Sequence, residues 1–528
     1  MANKHCLFYM LSALCIALVL LCLGGCGSSA DEKSLAGDRI VYGALTEPVS
    51  LCPILGTDAA STEVQSLIYN ALVRYDGDNH IIGDLAESWQ MTADGRCYTF
   101  RLRDGVRWHD GEPFTAEDVL YTFALAKDEN SGYLDRRELA NIVRVTADGR
   151  EVSFFLAEAD SAFLARISSI YVMPKHIWEQ IDNLREDAAT IQPVGTGAYR
   201  LTAWQKAQYL QLTANESYHR TAPRIKTLFY KIVPDTNVLA MQLRRGEVDV
   251  CHVDASAVEM LSNSDRVTIS TAPSRAYTYI ALNQSNPIFA DSRVRRAMVY
   301  GMQRQDIIDH ILGGGAYIAW ADLPTTILAV PHAELAYDTE MAKRLLAEAG
   351  WQTGADGIRT KDGLRLSYRL LVTNKNKRLG DVALAFRQNM RAIGIEVDIV
   401  PMDFATMRTK HYLAGDYDAC LISQRLPIDP QLRAEAWMTD GAGNHVAYSN
   451  PRLDMLYAQA QRTSEDETRD KLFAEGQSIL ADDMPQLFLW YPAITIGMRA
   501  DIVGIDAAHL GAKDNIFYNV ETWTRVRE

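Results

Sequence analysis

Apolar and polar residues alternate along several short segments of this chain, as half-buried β-strands require. Residues 39–44 (RIVYGA) form the first such segment, and residues 97–103 place three large apolar side chains on one face. Residues 145–156 alternate on both sides of Asp148-Gly149, which predicts a hairpin. Further strands are predicted at residues 199–203, 209–214, 277–283, 364–371, 396–400 and 486–498.

Other segments repeat apolar residues every three or four positions, as amphipathic helices do. Residues 62–73 show this period, and Thr115 followed by Asp118 is typical of a capping box that begins a helix. One helix is predicted from Asp291 to Leu312, and others at residues 341–348 and 380–392. Because strands and helices alternate after about residue 273, the pattern favours an α/β fold with a parallel sheet.

The amino terminus follows a different pattern. Residues 7–23 are almost wholly apolar, Lys4 precedes them, and the segment ends in Leu-Gly-Gly-Cys26, which is typical of a secretory signal. The last four residues resemble the bacterial lipobox, whose cysteine is acylated and becomes the first mature residue. We therefore expect residues 1–25 to be a signal peptide, Cys26 to carry lipid and residues 26–37 to be a tether. An uncleaved membrane anchor is the alternative that a run of this length leaves open.

Composition narrows the class of protein. The chain is 48% apolar and 23% charged, which is typical of a globular body with a sizeable core. Its formal net charge of −14 repels phosphate backbones, so we expect no nucleic-acid partner.

Four cysteines remain beyond Cys26: Cys52, Cys97, Cys251 and Cys420. They are far apart and form no C-x-x-C pair, so neither a zinc cluster nor a redox motif is indicated. One or two disulfides would suit an exported protein. Four small buried hydrophobic residues are the alternative, and the pairing stays open.

A series of motifs spans nearly the whole mature chain. Residues 108–119 (WHDGEPFTAEDV) are the longest, and each motif also has turn or capping residues that a scaffold needs. In their order and spacing, the motifs resemble the signature of the family 5 extracellular solute-binding proteins, which are peptide, nickel and opine receptors of ABC importers. The other motifs lie at residues 85–89 (LAESW), 92–96 (TADGR), 98–106 (YTFRLRDGV), 195–201 (GTGAYRL), 246–250 (GEVDV), 291–297 (DSRVRRA), 393–397 (IGIEV), 415–418 (GDYD) and 448–454 (YSNPRLD).

This resemblance implies a two-lobed clamp of the type II periplasmic-binding-protein class, in its large form with an extra subdomain in the first lobe. It implies a first lobe at residues 38–274 with that inserted subdomain, a second lobe at 275–488 and a return to the first lobe at 489–528. The chain would cross between lobes near residues 275–280 and 489–494. A ligand that contacts both lobes would favour the closed state, and closure would present a surface to the importer.

The resemblance also sets the expected partners. They are a peptide or related small solute, the permease subunits of an ABC importer, and a membrane bound through the lipid anchor at the extracytoplasmic side. We expect a monomer without cofactor, resident metal or enzymatic activity.

Peptide-binding members of this family usually hold the free amino terminus with an aspartate shortly before an Asp-Pro step. Aligning Asp429-Pro430 puts Leu426 at that position, with Arg425 beside it. An ammonium there would be desolvated without a carboxylate, and Arg425 would favour an anionic group instead. The candidate ligand-binding residues are Thr57, Asp58, Tyr277, Asn374, Gln424, Arg425 and Asp429.

Peptide cargo stays the first hypothesis, because an extended peptide paired through its backbone requires little of specific side chains. The segment at residues 427–430 resembles the nickel-type branch more closely, so a nickel or other metal-chelate receptor is the alternative within the family. An extracellular hydrolase and a structural surface lipoprotein are alternatives of other classes. The sequence carries no G-x-S-x-G, H-E-x-x-H or phosphate-loop motif that would favour an enzyme.

Overall fold

The largest element of the computed structural model is a mixed β-sheet of twelve strands. The structure describes residues 38–181, 183–187, 192–324, 327–328, 334–463, 465–506 and 515–526. The strands of these ranges are β1 Arg39–Ala44, β2 Val73–Tyr75, β3 Ile81–Gly83, β4 Ala86–Met91, β5 Cys97–Leu102, β6 Ile142–Asp148, β7 Glu151–Leu156, β8 Tyr199–Gln205, β9 Tyr209–Ala214, β10 Thr227–Ile232, β11 Val250–His252, β12 Val267–Pro273, β13 Ala276–Leu282, β14 Ala316–Ile318, β15 Gln352–Thr353, β16 Arg359–Lys361, β17 Leu364–Arg365, β18 Ser367–Thr373, β19 Glu396–Met402, β20 Ala419–Arg425, β21 Gln486–Arg499, β22 Ile502–Val503 and β23 Thr524–Arg525.

The strand order in the large sheet is β19-β18-β20-β13-β21-β11-β1-β10-β9-β8, and β12 and β14 also pair with β21. Parallel pairing joins β18 to β19 and β20 at one end, and β1 to β10 and β11 at the other. The intervening strands β13 and β21 are antiparallel to their neighbours. The expectation of a parallel sheet after residue 273 is therefore wrong for the middle of the sheet, where non-local pairing brings together strands that are far apart in the chain.

Helices cover this sheet and fill the connections between its strands. The helix predicted at residues 62–73 begins earlier, because Asp58 accepts a hydrogen bond from the Ser61 amide at 3.0 Å and caps it. It also ends earlier, at Ile68. The helices are α1 Ala59–Ile68, α2 Ala116–Lys127, α3 Phe163–Ile167, α4 Lys175–Trp178, α5 Leu184–Asp187, α6 Thr236–Arg245, α7 Ala255–Ser262, α8 Ser292–Tyr300, α9 Arg304–His310, α10 Thr339–Glu348, α11 Lys377–Ala392, α12 Phe404–Thr406, α13 Gln431–Ala434, α14 Pro451–Arg462 and α15 Asp466–Asp483, with 3-10 turns at Arg136–Leu139 and Ile516–Thr522 and a π-turn at Met407–Tyr412.

The segment predicted as one helix from Asp291 to Leu312 is two helices, α8 and α9. The break falls at Gly301, where an added Cβ would lie 2.7 Å from Ile393. Arg295 of α8 is a charged residue inside the fold. It is buried, and its guanidinium donates to the carbonyls of Phe289 and Met484 at 2.6 and 2.8 Å.

The buried apolar residues form separate cores within the described ranges. One is built from residues between Tyr277 and Tyr491, and a second from residues between Cys52 and Leu184. A third joins β1 and its neighbours to the carboxyl-terminal residues near Trp523, and a small fourth packs α6 and α7 on the sheet. Mixed α/β layers over two main cores form the two-lobed clamp that the sequence predicts.

The second core encloses an antiparallel sheet in the order β4-β5-β7-β6, to which the longest motif attaches. The hairpin predicted around Asp148-Gly149 is confirmed as β6 and β7. The predicted capping box is also present, since the Asp118 carboxylate accepts from the Thr115 amide at 2.8 Å.

Candidate functional site

Strand β21 belongs to both halves of the large sheet. Its first residues pair with β13, up to Trp490 opposite Thr278, and its later residues pair with β12 from Ala493 onward. A strand that changes partners along its length fixes the two lobes at a shared floor. Residues 38–274 and 489–528 are called the first lobe and residues 275–488 the second lobe, after the predicted boundaries.

The second lobe presents the carboxyl ends of three parallel strands at one edge. Thr373 of β18 lies opposite Met402 of β19, so these two strands end together. Leu370 of β18 lies opposite Ala419 of β20, so β20 extends beyond the end of β18 before it stops at Arg425. Asn374 follows β18 and is exposed, and Gln424 and Arg425 end β20. Carboxyl ends of parallel strands are where α/β sheets commonly bind ligands.

A buried ion pair anchors Gln424. Asp322 is fully buried and accepts hydrogen bonds from Arg433, at 3.1 Å, and from the Trp437 indole, at 2.7 Å. Gln424 satisfies its amide when its oxygen accepts from Arg433 and its nitrogen donates to the Tyr279 hydroxyl, each at 3.1 Å. Charge-assisted hydrogen bonds from Arg433 thus hold the Gln424 side chain, which remains half-buried.

Arg425 extends toward the first lobe. Its backbone pairs with Ala276, beside the point where β21 changes partners, and its side chain is exposed. Its positive charge lowers the pKa of Glu63 on α1, although burial raises that pKa more. Burial raises the pKa of Tyr171, and the charge of Arg425 partly opposes that rise. The charge of Arg425 therefore acts on the Glu63 carboxyl, although the two residues lie far apart in the chain.

Asp429 is not on an open surface loop. It is buried, accepts from the Gln431 amide at 2.8 Å, and forms an ion pair with Arg469. Burial raises the pKa of Tyr75, a first-lobe residue, and the Asp429 charge raises it further. Close by, the Ser161 amide donates to the Gln461 carbonyl at 3.1 Å, a direct bond between the lobes.

Thr57 and Asp58 lie on the first lobe at the start of α1. Thr57 is exposed, and the Asp58 carboxylate is used as the helix cap. The structure places both next to the helix that carries Glu63.

Tyr277 is fully buried in the core of the second lobe. Its hydroxyl accepts a hydrogen bond from Gln486, and its ring stacks on Tyr279 with centroids 4.8 Å apart. Leu426 is buried too, and its backbone bonds to Arg275. Neither side chain is aimed at solvent in this structure.

Glu63 is a largely buried carboxylate that was not among the candidate residues. Tyr230 donates to one carboxylate oxygen at 3.0 Å and Tyr42 to the other at 3.4 Å. His252 places its Nε2 3.9 Å from the same carboxylate. The signal was available, because Glu63 stands three residues after Ala60 and four before Leu67, on the apolar face of α1.

His109, which stands beside Asp110 as a metal ligand might, has a structural role. The Gly195 amide donates to its Nδ1 at 3.2 Å, so the Nε2 proton is donated to the Gly197 carbonyl at 3.0 Å. Burial lowers its pKa to about 4 and keeps the ring neutral. Among the described residues, the side chains with metal-ligand spacing are Asp76, Asp78 and His80, in the turn between β2 and β3.

The four cysteines beyond Cys26 are free thiols, and Cys52, Cys251 and Cys420 are buried. Burial raises the pKa of the Cys52 thiol to about 11, which keeps it protonated and unreactive. These residues act as small apolar side chains.

The signal, Cys26 and the tether lie outside the described residues. Over the part of the chain that the structure describes, no helix combines the length and the apolar character needed to cross a bilayer.

Comparison with known proteins gives concordant results. The model of the bacterial extracellular solute-binding proteins, family 5 (middle region), matches residues 80–443. The oligopeptide-binding protein AppA of Bacillus subtilis is 29% identical over 549 aligned positions, covering 99% of both chains. Protein XP55 of Streptomyces lividans is 31% identical over 481 positions, which cover 89% of this chain and 86% of XP55.

Solved structures show the same fold. AppA of Bacillus subtilis, in complex with a nonapeptide, superposes with a TM-score of 0.72 at 27% identity, covering 93% of this chain and 99% of AppA. HbpA2 of Haemophilus parasuis has a TM-score of 0.81 at 21% identity, covering 93% of this chain and all of HbpA2. The latter similarity is one of fold alone.

Proposed function

We propose a receptor function from one premise: the chain belongs to the bacterial extracellular solute-binding proteins of family 5. Members of this family bind solutes and do not turn them over. We infer that this chain captures peptides outside the cytoplasm and delivers them to the permease subunits of an ABC importer. The similarity to AppA, which binds an oligopeptide, supports peptide cargo.

The single observation that carries this proposal is a set of polar side chains near the point where β21 changes partners. The second lobe contributes the exposed Arg425 and Asn374 and the anchored Gln424, and the first lobe contributes Glu63. Guanidinium and amide groups are suited to peptide carbonyls, amides and carboxylates, which they bind without chemical reaction. A ligand between these surfaces would touch both lobes at once.

We propose lobe boundaries that follow the predicted ones. Residues 38–274 with the inserted subdomain would form the first lobe, 275–488 the second, and 489–528 would return to the first. The core that runs from Tyr277 to Tyr491 supports the second-lobe assignment. The hinge would then lie where β13 begins and where β21 changes partners, and a bound ligand would favour closure.

Within the cleft, we propose that Arg425, Gln424 and Asn374 contact ligand from the second lobe, and Thr57 and Asp58 border it on the first. Asp429 would act through its ion pair with Arg469 by fixing the wall that faces Tyr75. Tyr277 would support that wall from inside the core.

We also propose that the protein is a monomer held at the extracytoplasmic membrane surface by lipid on Cys26, after removal of residues 1–25. The Leu-Gly-Gly-Cys sequence and its apolar leader support this location. A single acyl chain binds membranes only marginally, so stable anchoring requires more than one.

One mass-spectrometry experiment tests both parts. The protein is purified from bacterial membranes, its intact mass is measured, and the small molecules released on denaturation are identified. We expect a mature chain that begins with an acylated Cys26, together with a family of short peptides. A nickel or other metal-chelate mass without peptides would overturn the peptide assignment, and an unmodified Cys26 in the mature chain would overturn the anchor.

A further inference from the structure

Glu63 lies close to the part of β21 where that strand changes partners. His252, which lies next to Glu63, pairs with Ile496 of β21. Ser274 comes just before β13, the strand that pairs with Arg425, and its amide donates to the Pro492 carbonyl of β21. The four residue steps from Pro492 to Ile496 span about 13 Å of extended strand. This register places Glu63 and Arg425 on opposite sides of the crossing point, independently of any electrostatic argument.

Two aligned tyrosines orient the Glu63 carboxylate. Tyr42 and Tyr230 stand opposite each other in the parallel pairing of β1 and β10, and each hydroxyl donates to a different oxygen of Glu63. A carboxylate offers about four acceptor sites on its two oxygens, so these two bonds leave room for a further donor. Hydroxyl groups are neutral, so they orient the carboxylate but do not neutralise its charge.

The position of Glu63 disfavours the charged form of its carboxyl group. Its side chain is 16% exposed, that of His252 is 35% exposed, and the carboxylate sits on the apolar face of α1. Burial raises the pKa of Glu63 to about 7, against the opposing effects of Tyr230, Tyr42 and Arg425. Removing a charge from water without full compensation is unfavourable, and such positions are concentrated at functional sites.

We propose that Glu63 recognises a primary ammonium group of the ligand, either an amino terminus or a lysine side chain. This inference rests on the proposed receptor function and deepens it. The ammonium would occupy the remaining acceptor sites of the carboxylate, on the lobe opposite the position where Leu426 stands. Charge recognition would thus come from the first lobe, whereas Arg425 serves the carbonyl or carboxylate oxygens of the same ligand.

A competition experiment tests this assignment. The probe is an equimolar mixture of four isotopically distinguishable pools of randomised nonapeptides, each peptide carrying one lysine. The pools are unmodified, α-acetylated, ε-acetylated or acetylated at both amines. The mixture is equilibrated with a limiting amount of protein, and the retained fraction of each pool is quantified by mass spectrometry. The proteins are the wild type, Glu63→Gln, Glu63→Asp and, as a control, Glu216→Gln, which alters an exposed carboxylate on the same lobe.

We expect the wild type and Glu216→Gln to retain the unmodified pool about 30-fold more than the doubly acetylated pool, because a lost partner in a buried charged hydrogen bond weakens binding by that order. The two singly acetylated pools then distinguish an amino terminus from a lysine. Glu63→Gln should bring the ratio near one, and Glu63→Asp should restore part of it. Thermal unfolding checks that each variant is folded.

Equal retention of all four pools by the wild type, or the same ratio in Glu63→Gln, would overturn the role of Glu63 while leaving the receptor function intact. Retention of no pool by the folded wild type would overturn the peptide receptor function, and the role of Glu63 with it.

Discussion

Glu63 occupies a position on α1 that the apolar pattern reserves for the core, between Ala60 and Leu67. Two tyrosine hydroxyls hold its carboxylate, and Arg425 approaches from the other lobe. The spacing along the helix places this charge on the buried face, but it does not tell which strands supply the partners. Those partners come from β1, β10 and β20, far apart in the chain. The sequence therefore suggests Arg425 and Gln424 as candidates, because they precede Asp429-Pro430, and these two stay predictions, whereas Glu63 was not among the candidates.

Replacing Glu63 with Gln should change the pH dependence of stability. The native carboxyl, with its pKa of about 7, binds its proton more tightly than the unfolded one, near 4.5. Stability from this group is therefore complete below about pH 4.5 and is lost as pH rises through about 7. Relative to the wild type, Glu63→Gln should gain about 3 kcal/mol of unfolding free energy between pH 5 and pH 8.

Urea unfolding at several pH values between these limits measures the difference. Glu216→Gln is the matched control, because its carboxylate is exposed and pairs with Lys226 at the surface. A difference between Glu63→Gln and the wild type that stays constant with pH would show that Glu63 is not desolvated as described.

At the scale of elements, the chain's own pattern predicts most of the strands and helices, including β1, β5, the β6–β7 hairpin and α2. It fails where distant segments decide the outcome. Residues 69–73 continue the apolar pattern of α1, yet the chain leaves the helix at Tyr69, where its amide bonds back to Gln65. The antiparallel pairing of β13 with β21 joins segments some two hundred residues apart, which no local pattern reveals.

The end of α1 also explains two motif glycines. A Cβ at Gly197 would lie 2.4 Å from the Leu67 carbonyl oxygen, and one at Gly195 would lie 1.8 Å from that of Ile68. The glycines in GTGAY are thus required by the close approach of this loop to α1, and the motif is a scaffold feature.

Two alanine substitutions should have opposite effects on stability. Gly197→Ala forces its methyl group against backbone and should lower the unfolding free energy by about 1–3 kcal/mol. Gly380→Ala, inside α11 with open space around the added methyl group, should raise it by about 0.5–1 kcal/mol. Chemical denaturation of both variants measures this, and a Gly197→Ala protein as stable as the wild type would refute the close approach.

At the scale of the whole molecule, the order and spacing of the motifs indicate the family and the two-lobed fold, because they define turns and caps throughout the scaffold. They do not define the cargo, since the candidate residues Asn374, Gln424 and Arg425 lie at strand ends between the motifs. Leu426, where a peptide-binding carboxylate is expected, is buried in the second lobe. The polar groups that we propose for ligand binding are instead Arg425 and Gln424 on one lobe and Glu63 on the other.

The central claim is that the two lobes close on a peptide, and small-angle X-ray scattering tests it most directly. Lipid-free Cys26→Ser protein, without residues 1–25, is measured alone and with a saturating pool of randomised nonapeptides, after calorimetry has established that the pool binds. The radius of gyration should decrease toward the value of about 23 Å expected for a compact chain of this length. A radius of gyration that bound peptide leaves unchanged would contradict a clamp that closes on its ligand.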